Sequence, residues 1–213
     1  MHIPDGFLPP SVALAGYALT GGMTWYSLGQ INKEKNLQSK IPKASLLTAA
    51  FFLASLIHIP VPPVSIHLVM NGLMGIVLGY YAFPAIEVGL FFQAVMFQHG
   101  GLSTLGVNAA MIGIPALVAY YIFGLRNRIG GKQQIWTKIF AFLASAGAIV
   151  ISASIFAVVV MANISPELEP QTERRAIYAS VSGYAVQALI EGTFTVMLVS
   201  FLGRVKPELW ENQ

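Results

Sequence analysis

Cysteine is absent from this 213-residue chain. That removes disulfides and every thiolate metal site, so any bound metal must take nitrogen or oxygen donors. Charge is scarce too: 10% of residues are Asp, Glu, Lys or Arg and 55% are hydrophobic, against about 25% charged in an ordinary soluble domain. This balance specifies an integral membrane protein. Catalytic signatures are also missing. The sequence holds no Gly-rich phosphate loop ending in Lys-Ser/Thr, no HExxH and no Gly-x-Ser-x-Gly, so P-loop ATP hydrolysis, protease and lipase chemistry have no support and no enzyme is expected. No secretory leader is expected either, since Pro4, Asp5, Pro9 and Pro10 stand where its apolar core and cleavage site would fall, and Met1 is expected to be the mature start.

What is present is a succession of apolar runs. They predict an all-α polytopic bundle of about seven membrane segments, roughly 9–31, 44–60, 65–82, 84–98, 104–125, 138–162 and 176–203. The short loops leave no room for a soluble domain, so residues 1–213 are expected to form a single integral membrane unit. The net charge of +3 does not point to nucleic acid, because the basic residues sit in clusters between spans. Lys33, Lys35, Lys40 and Lys43, then Arg126, Arg128, Lys132 and Lys138, then Arg204 and Lys206 make ten of the twelve. Placing these clusters in the cytoplasm satisfies the positive-inside rule. The N-terminus then lies outside, the C-terminus inside, and the acidic loop around 163–175 outside. The four histidines, His2, His58, His67 and His99, all fall on the outer side.

Breaks and polar residues within the apolar runs are informative. Three prolines, Pro60, Pro62 and Pro63, forbid a continuous helix after His58 and predict a rigid turn, which either presents His67 or is an ordinary connection between helices. The stretch Gln98–Thr104 reads as a second, Gly-containing break. Glu87 and Glu191 lie inside expected spans, where a carboxylate is either a helix-to-helix contact or part of a transport feature. Asn71, Gln93, Gln98 and Asn108 either glue helices together or orient a ligand histidine, and Asn71, one turn beyond His67, is the first candidate for that second role. Gly75 and Gly79, and in the first span Ala18 and Gly22, have the spacing of close helix approach or of docking to another membrane subunit.

A histidine in second position turns the N-terminus into a chelator. The Met1 amine, the His2 amide nitrogen and one His2 imidazole nitrogen close two fused rings around a metal and leave one in-plane position, which His67 is suited to fill. Four nitrogens in a plane suit Ni(II) or Cu(II), and displacing the amide proton is harder for Co(II). The alternative is that His2 merely follows the initiator Met. Asp5 is expected to cap the first helix.

Met1-His2-Ile3-Pro4-Asp5-Gly6-Phe7-Leu8-Pro9-Pro10, Ser65-Ile66-His67-Leu68, and Phe92-Gln93-Ala94 with His99-Gly100-Gly101-Leu102-Ser103-Thr104-Leu105-Gly106-Val107-Asn108 resemble the CbiM/NikM family. These are the substrate-binding (S) components of energy-coupling factor transporters for cobalt and nickel. The resemblance implies an S-component bundle in the cell membrane with an N-terminal metal-binding segment over residues 1–8. It implies Met1, His2 and His67 as ligands and Ni(2+) or Co(2+) as the transported substrate, and the residues themselves offer Asn71, Gln93, His99 and Asn108 as candidates behind those ligands. It further implies a transmembrane coupling (T) subunit, two ATPase subunits and a small accessory membrane subunit as partners. The Pro4-Asp5 pair favours nickel. The rival expectation is a membrane carrier or S component for a small organic solute, recognised by Glu87, Glu191 and the buried amides.

Overall fold

In a bilayer each segment must satisfy its own backbone, so apolar runs become helices. The computed structural model describes residues 1–34, 37–61, 64–129, 133–163 and 170–206. Within these, the helices are α1 (Pro10–Ile31), α2 (Leu37–Ala54), α3 (Asn71–Leu78), α4 (Ala82–Phe97), α5 (Leu105–Gly124), the single turn α6 (Arg126–Ile129), α7 (Gln134–Ala162) and α8 (Pro170–Val205). A two-stranded antiparallel ribbon, β1 (His58–Val61) and β2 (Val64–His67), lies between α2 and α3. Apart from α6, each helix corresponds to one of the seven expected segments. Residues 164–169 of the acidic loop expected over 163–175, together with Lys35, Lys132, Pro62 and Pro63, lie outside the described residues.

Two expected segments are corrected. The second helix stops at Ala54 rather than near residue 60, because the proline-containing stretch that follows pairs as β1 and β2. The third segment is helical only over Asn71–Leu78, since the residues before it belong to β2 and to the irregular link Leu68–Met70, which ends in a left-handed Met70. Its direction follows from its neighbours. The rings of His67, ahead of α3, and His99, after α4, have centroids 4.9 Å apart, so α3 and α4 run in opposite directions. They join through the 3-10 turn Gly79–Tyr81, where Gly79 takes φ +59°, a left-handed conformation that suits glycine.

The core is centred on α3, all of whose residues are buried. It packs against α5 and α7, and glycine makes that possible: a Cβ on Gly75 would strike the Ala116 carbonyl of α5, and one on Gly72 would strike the Ser145 backbone of α7. Gly22 on α1, by contrast, has nothing near it, so Ala18 and Gly22 belong to an open face rather than to internal packing. Four stretches, Asn71–Phe97, Leu105–Ile129, Gln134–Ala162 and Ser182–Val205, are long and apolar enough to cross a membrane, the first containing the reversal at Gly79–Tyr81. The chain is a multi-pass membrane protein.

Candidate metal centre

The N-terminus is buried, which is unusual for a chain end. Met1 is 4% exposed and Ile3 is 1% exposed, and polar side chains fix the backbone between them. Asn108 Oδ1 accepts the Ile3 N–H at 2.9 Å, Asn108 Nδ2 donates to the Ile3 carbonyl at 3.0 Å, and Thr104 Oγ1 donates to the same carbonyl at 2.6 Å. Asp5 extends the attachment. Its carboxylate accepts the Ser103 N–H and hydroxyl at 2.7 and 2.5 Å and the Leu102 N–H at 3.2 Å, which holds the carboxyl below its usual range. This corrects its expected role: the N-cap of α1 is Pro9, with no side-chain cap, and Asp5 instead binds the turn that leads into α5. Gly101 permits that approach, since a Cβ there would collide with Asp5.

The ribbon delivers the histidines. Its register sets His58 opposite His67. The link after His67 is then pinned by α8: Gln187 Nε2 donates to the His67 carbonyl at 2.8 Å, and the Glu191 carboxylate accepts the Val69 and Met70 N–H groups at 2.6 and 2.7 Å. Gln187 also donates to Glu191 at 2.8 Å. Met70 adopts φ 53° there, a strained value for a non-glycine residue that the two carboxylate bonds hold in place. His99 arrives from α4 by a similar device. Gln98 ends the helix at φ 52°, and the His99 N–H folds back to the Gln93 carbonyl at 3.1 Å.

All four imidazoles meet at this end of the bundle. His2 lies 5.0 Å from His67 and 4.3 Å from His99 between ring centroids, and His58 lies 5.9 Å from each of His67 and His99. One ring nitrogen from each of His2, His67 and His99 falls within 4.8 Å of the others. The decisive distances are those of His67 Nε2, which is 2.9 Å from the Met1 amine and 3.3 Å from His2 Nδ1. In a square-planar set with bonds of about 2.0 Å, adjacent nitrogens are about 2.8 Å apart. The fourth ligand must sit next to both the amine and the imidazole and across from the amide, and His67 Nε2 occupies that corner.

The electrostatics suit a cation. Burial lowers the Met1 amine from 8.0 to about 5, an effect only partly opposed by the charge of Glu191. Burial, then the nearby terminal amine, pushes His2 and His67 well below the usual imidazole range and His99 to about 4. The amine and the imidazoles are therefore unprotonated at neutral pH, as metal binding requires.

The candidates behind the ligands divide. Asn108 positions Ile3, one residue beyond the chelate. Gln93 is buried with neither amide atom satisfied, as are His2 Nε2 and His99 Nε2. His99 stands in the ligand cluster itself. Asn71 does not orient His67; its Nδ2 donates to Ile112 O and Ser152 Oγ at 3.2 and 2.9 Å and its Oδ1 accepts the Gly72 N–H, because the helix that carries it begins only at Asn71 and turns the side chain into the bundle. Gln187 and Thr104 are positioning residues that the sequence did not single out. Glu191 is a helix-to-link contact, and Glu87 accepts a bond from Thr24 Oγ1 at 2.8 Å, joining α1 to α4.

Comparison with known proteins bears on this geometry. The profile of CbiM, described as the cobalt uptake substrate-specific transmembrane region, matches residues 2–209. The cobalt transport protein CbiM of Thermosipho melanesiensis is 31% identical over 220 residues, covering 100% of this chain and 91% of that protein. The fused nickel transport protein NikMN of Rhodobacter capsulatus is 29% identical over 226 residues, 98% of this chain and 63% of its own length. A Haemophilus influenzae relative is 36% identical over 135 residues, 63% of this chain and 62% of its own length. The chain thus matches just under two thirds of the length of the last two. A crystal structure of a truncated transition metal transporter has the same fold, with a TM-score of 0.76 at 21% identity over 95% of this chain and 98% of that one.

Proposed function

The chain belongs to the CbiM family, the substrate-specific transmembrane region of cobalt uptake, and from that premise we propose that it captures Ni(2+), in preference to Co(2+), at the outer face of the cell membrane for import. The ligands are the Met1 amine, the His2 amide and Nδ1 nitrogens, and His67 Nε2. The observation that carries this reading is the placement of His67 Nε2 at 2.9 Å from the amine and 3.3 Å from His2 Nδ1. Nickel is favoured because the plane uses a deprotonated amide, and a d8 ion gains most from four in-plane nitrogens. Named relatives support both metals, one described for nickel and one for cobalt.

A membrane component without a nucleotide motif needs its energy from elsewhere. The reading therefore includes an energy-coupling factor complex with a transmembrane coupling subunit, two ATPase subunits and a small accessory membrane subunit. The open α1 face around Ala18 and Gly22 is suited to such packing between membrane helices.

The test is to titrate purified chain with Ni(2+) and Co(2+), alongside a form extended by one residue before Met1. The native chain binds one Ni(2+) with the yellow, diamagnetic signature of a square plane, and the extended chain loses it. Unchanged affinity in the extended chain refutes the assignment.

A further inference from the structure

The square plane takes two of the four imidazoles and leaves His58 and His99 over. Their rings lie 5.9 Å apart between centroids, at 82° to each other. Metal-to-nitrogen bonds of about 2.0–2.1 Å put the centres of two imidazoles on one ion roughly 4.5–6.4 Å apart, according to the angle at the metal. The His58–His99 separation falls within that span.

The hydrogen bonds leave the nitrogens that a metal would use. The Leu56 carbonyl only accepts, so His58 Nδ1, 3.1 Å from it, carries the proton and the lone pair stays on Nε2. His67, opposite His58 in the ribbon, has the same arrangement. Its Nδ1 is 3.4 Å from the Leu68 carbonyl, and its Nε2 stands at the corner of the plane. A bond from the other ring nitrogen is how a ligand histidine is ordinarily oriented. His99 Nε2 is buried without a hydrogen-bond partner, a deficit that a bound ion would make good.

Exposure falls from ring to ring: His58 is exposed, His99 half-buried and His67 buried. An exposed histidine on a ribbon is ordinary by itself, but this one belongs to a continuous series. His99 lies 4.9 Å from His67 and 4.3 Å from His2 between centroids, so it borders both His58 and the plane. A hydrated ion does not fit a buried plane with its water shell intact. It must exchange waters for nitrogens, and it must be held nearby while the His2 amide gives up its proton.

We propose that His58 and His99 form an entry site, which takes hydrated Ni(2+) first and passes it to the square plane. The proposal rests on the capture reading given above. On entry, two imidazole nitrogens replace two of six waters. On transfer, the Met1 amine, the His2 amide and Nδ1 nitrogens and His67 Nε2 displace both imidazoles and the four remaining waters, the amide proton leaves to solvent, and nickel stays divalent.

The experiment mixes the purified full chain with Ni(2+) in a stopped-flow instrument and follows the yellow band of the square plane. In the native chain the rate of band formation is expected to level off as Ni(2+) rises, because the entry site fills. In His58→Ala the rate rises in proportion to Ni(2+) and is about tenfold slower at low concentration. Release into excess chelator slows by the same factor, so the affinity and the final band stay native, which also shows that the variant folds. The chain extended by one residue before Met1 cannot form the plane but keeps the entry site. It is expected to bind one Ni(2+) weakly with a paramagnetic, six-coordinate spectrum, and to lose that binding when His58→Ala is added. If the native chain never develops the yellow band, the square plane is wrong, and the extended chain still tests the entry site alone. Native rates in His58→Ala, a formation rate proportional to Ni(2+) throughout in the native chain, or an extended chain that binds no Ni(2+) each overturn the proposal. So does a lost affinity or an altered final band in His58→Ala, which would assign His58 to the plane itself.

Discussion

Asn108 grips both backbone groups of Ile3, accepting its N–H at 2.9 Å and donating to its carbonyl at 3.0 Å. One side-chain amide thereby does for the N-terminus what a neighbouring strand does for a strand edge, and it fixes the residue next to His2. Replacing Asn108 with Leu leaves two buried backbone groups without that partner. Asn108→Asp keeps the acceptor and loses the donor. Ni(2+) affinity, measured by competition with a chelator, is expected to fall about 10–100-fold in the Leu variant and less in the Asp variant. Equal affinity in both variants and the native chain would show that Ile3 needs no such hold.

Much of this site was legible in the sequence, and the limits have physical causes. That Met1 and His2 could chelate follows from the fixed chemistry of a second-position histidine, His67 comes as their companion from the family resemblance, and the structure brings the three together. Helical spacing would set Asn71 one turn beyond His67, but the helix begins only at Asn71 and a left-handed Met70 separates the two. Gln187 and Glu191 lie about 120 residues away from the link they hold, at sequence separations of 120 to 122. Periodicity assigns them to a span but not to a partner. The seven segments were legible because apolar length is a strong signal. The ribbon was not, since four-residue strands carry too little pattern.

The proton count on binding follows from the lowered basicity of the donors. An amine at its ordinary value of 8.0 would be protonated at pH 7 and would release a proton to the metal, but this amine, at about 5, is already free. His2 and His67 are likewise free. The His2 amide is then the single group that must lose a proton. Between pH 6.5 and 8 the logarithm of Ni(2+) affinity should rise by about one per pH unit, with about one proton released. Below about pH 5 the slope steepens as the amine also takes up protons. Calorimetry in buffers of different ionisation enthalpy measures the count; a value near zero means that the amide is not a ligand.

Gln93 stands buried with both amide atoms unsatisfied, beside a His2 ring whose Nε2 also lacks a partner. With Nδ1 on the metal, Nε2 carries the proton and needs an acceptor, and the Gln93 carbonyl is suited to it. Gln93→Leu should weaken Ni(2+) binding by about tenfold while leaving the stability of the metal-free protein little changed, because no bond made in that state is lost. Thermal unfolding with and without Ni(2+) separates the two effects: the metal-induced rise in Tm shrinks, and the metal-free Tm does not move.

Glu191 sits in a membrane helix, yet its carboxylate accepts three N–H groups, from Val69, Met70 and Gln187. The first two belong to the link that follows His67, so this side chain sets the backbone from which the His67 ring projects. Glu191→Gln replaces one acceptor oxygen with an amide nitrogen, and any orientation of the new side chain turns a donor toward one of three existing donors. The expected result is a loss of Ni(2+) affinity of about 10–100-fold, with coordination by His67 weakened first. Two spectroscopic outcomes separate positioning from transport. If Glu191 only positions His67, the variant binds weakly with an altered Ni(2+) absorption band, and added imidazole restores the native band by filling the fourth corner. If it serves the passage of the ion instead, binding and spectrum are native while uptake by the assembled transporter is lost.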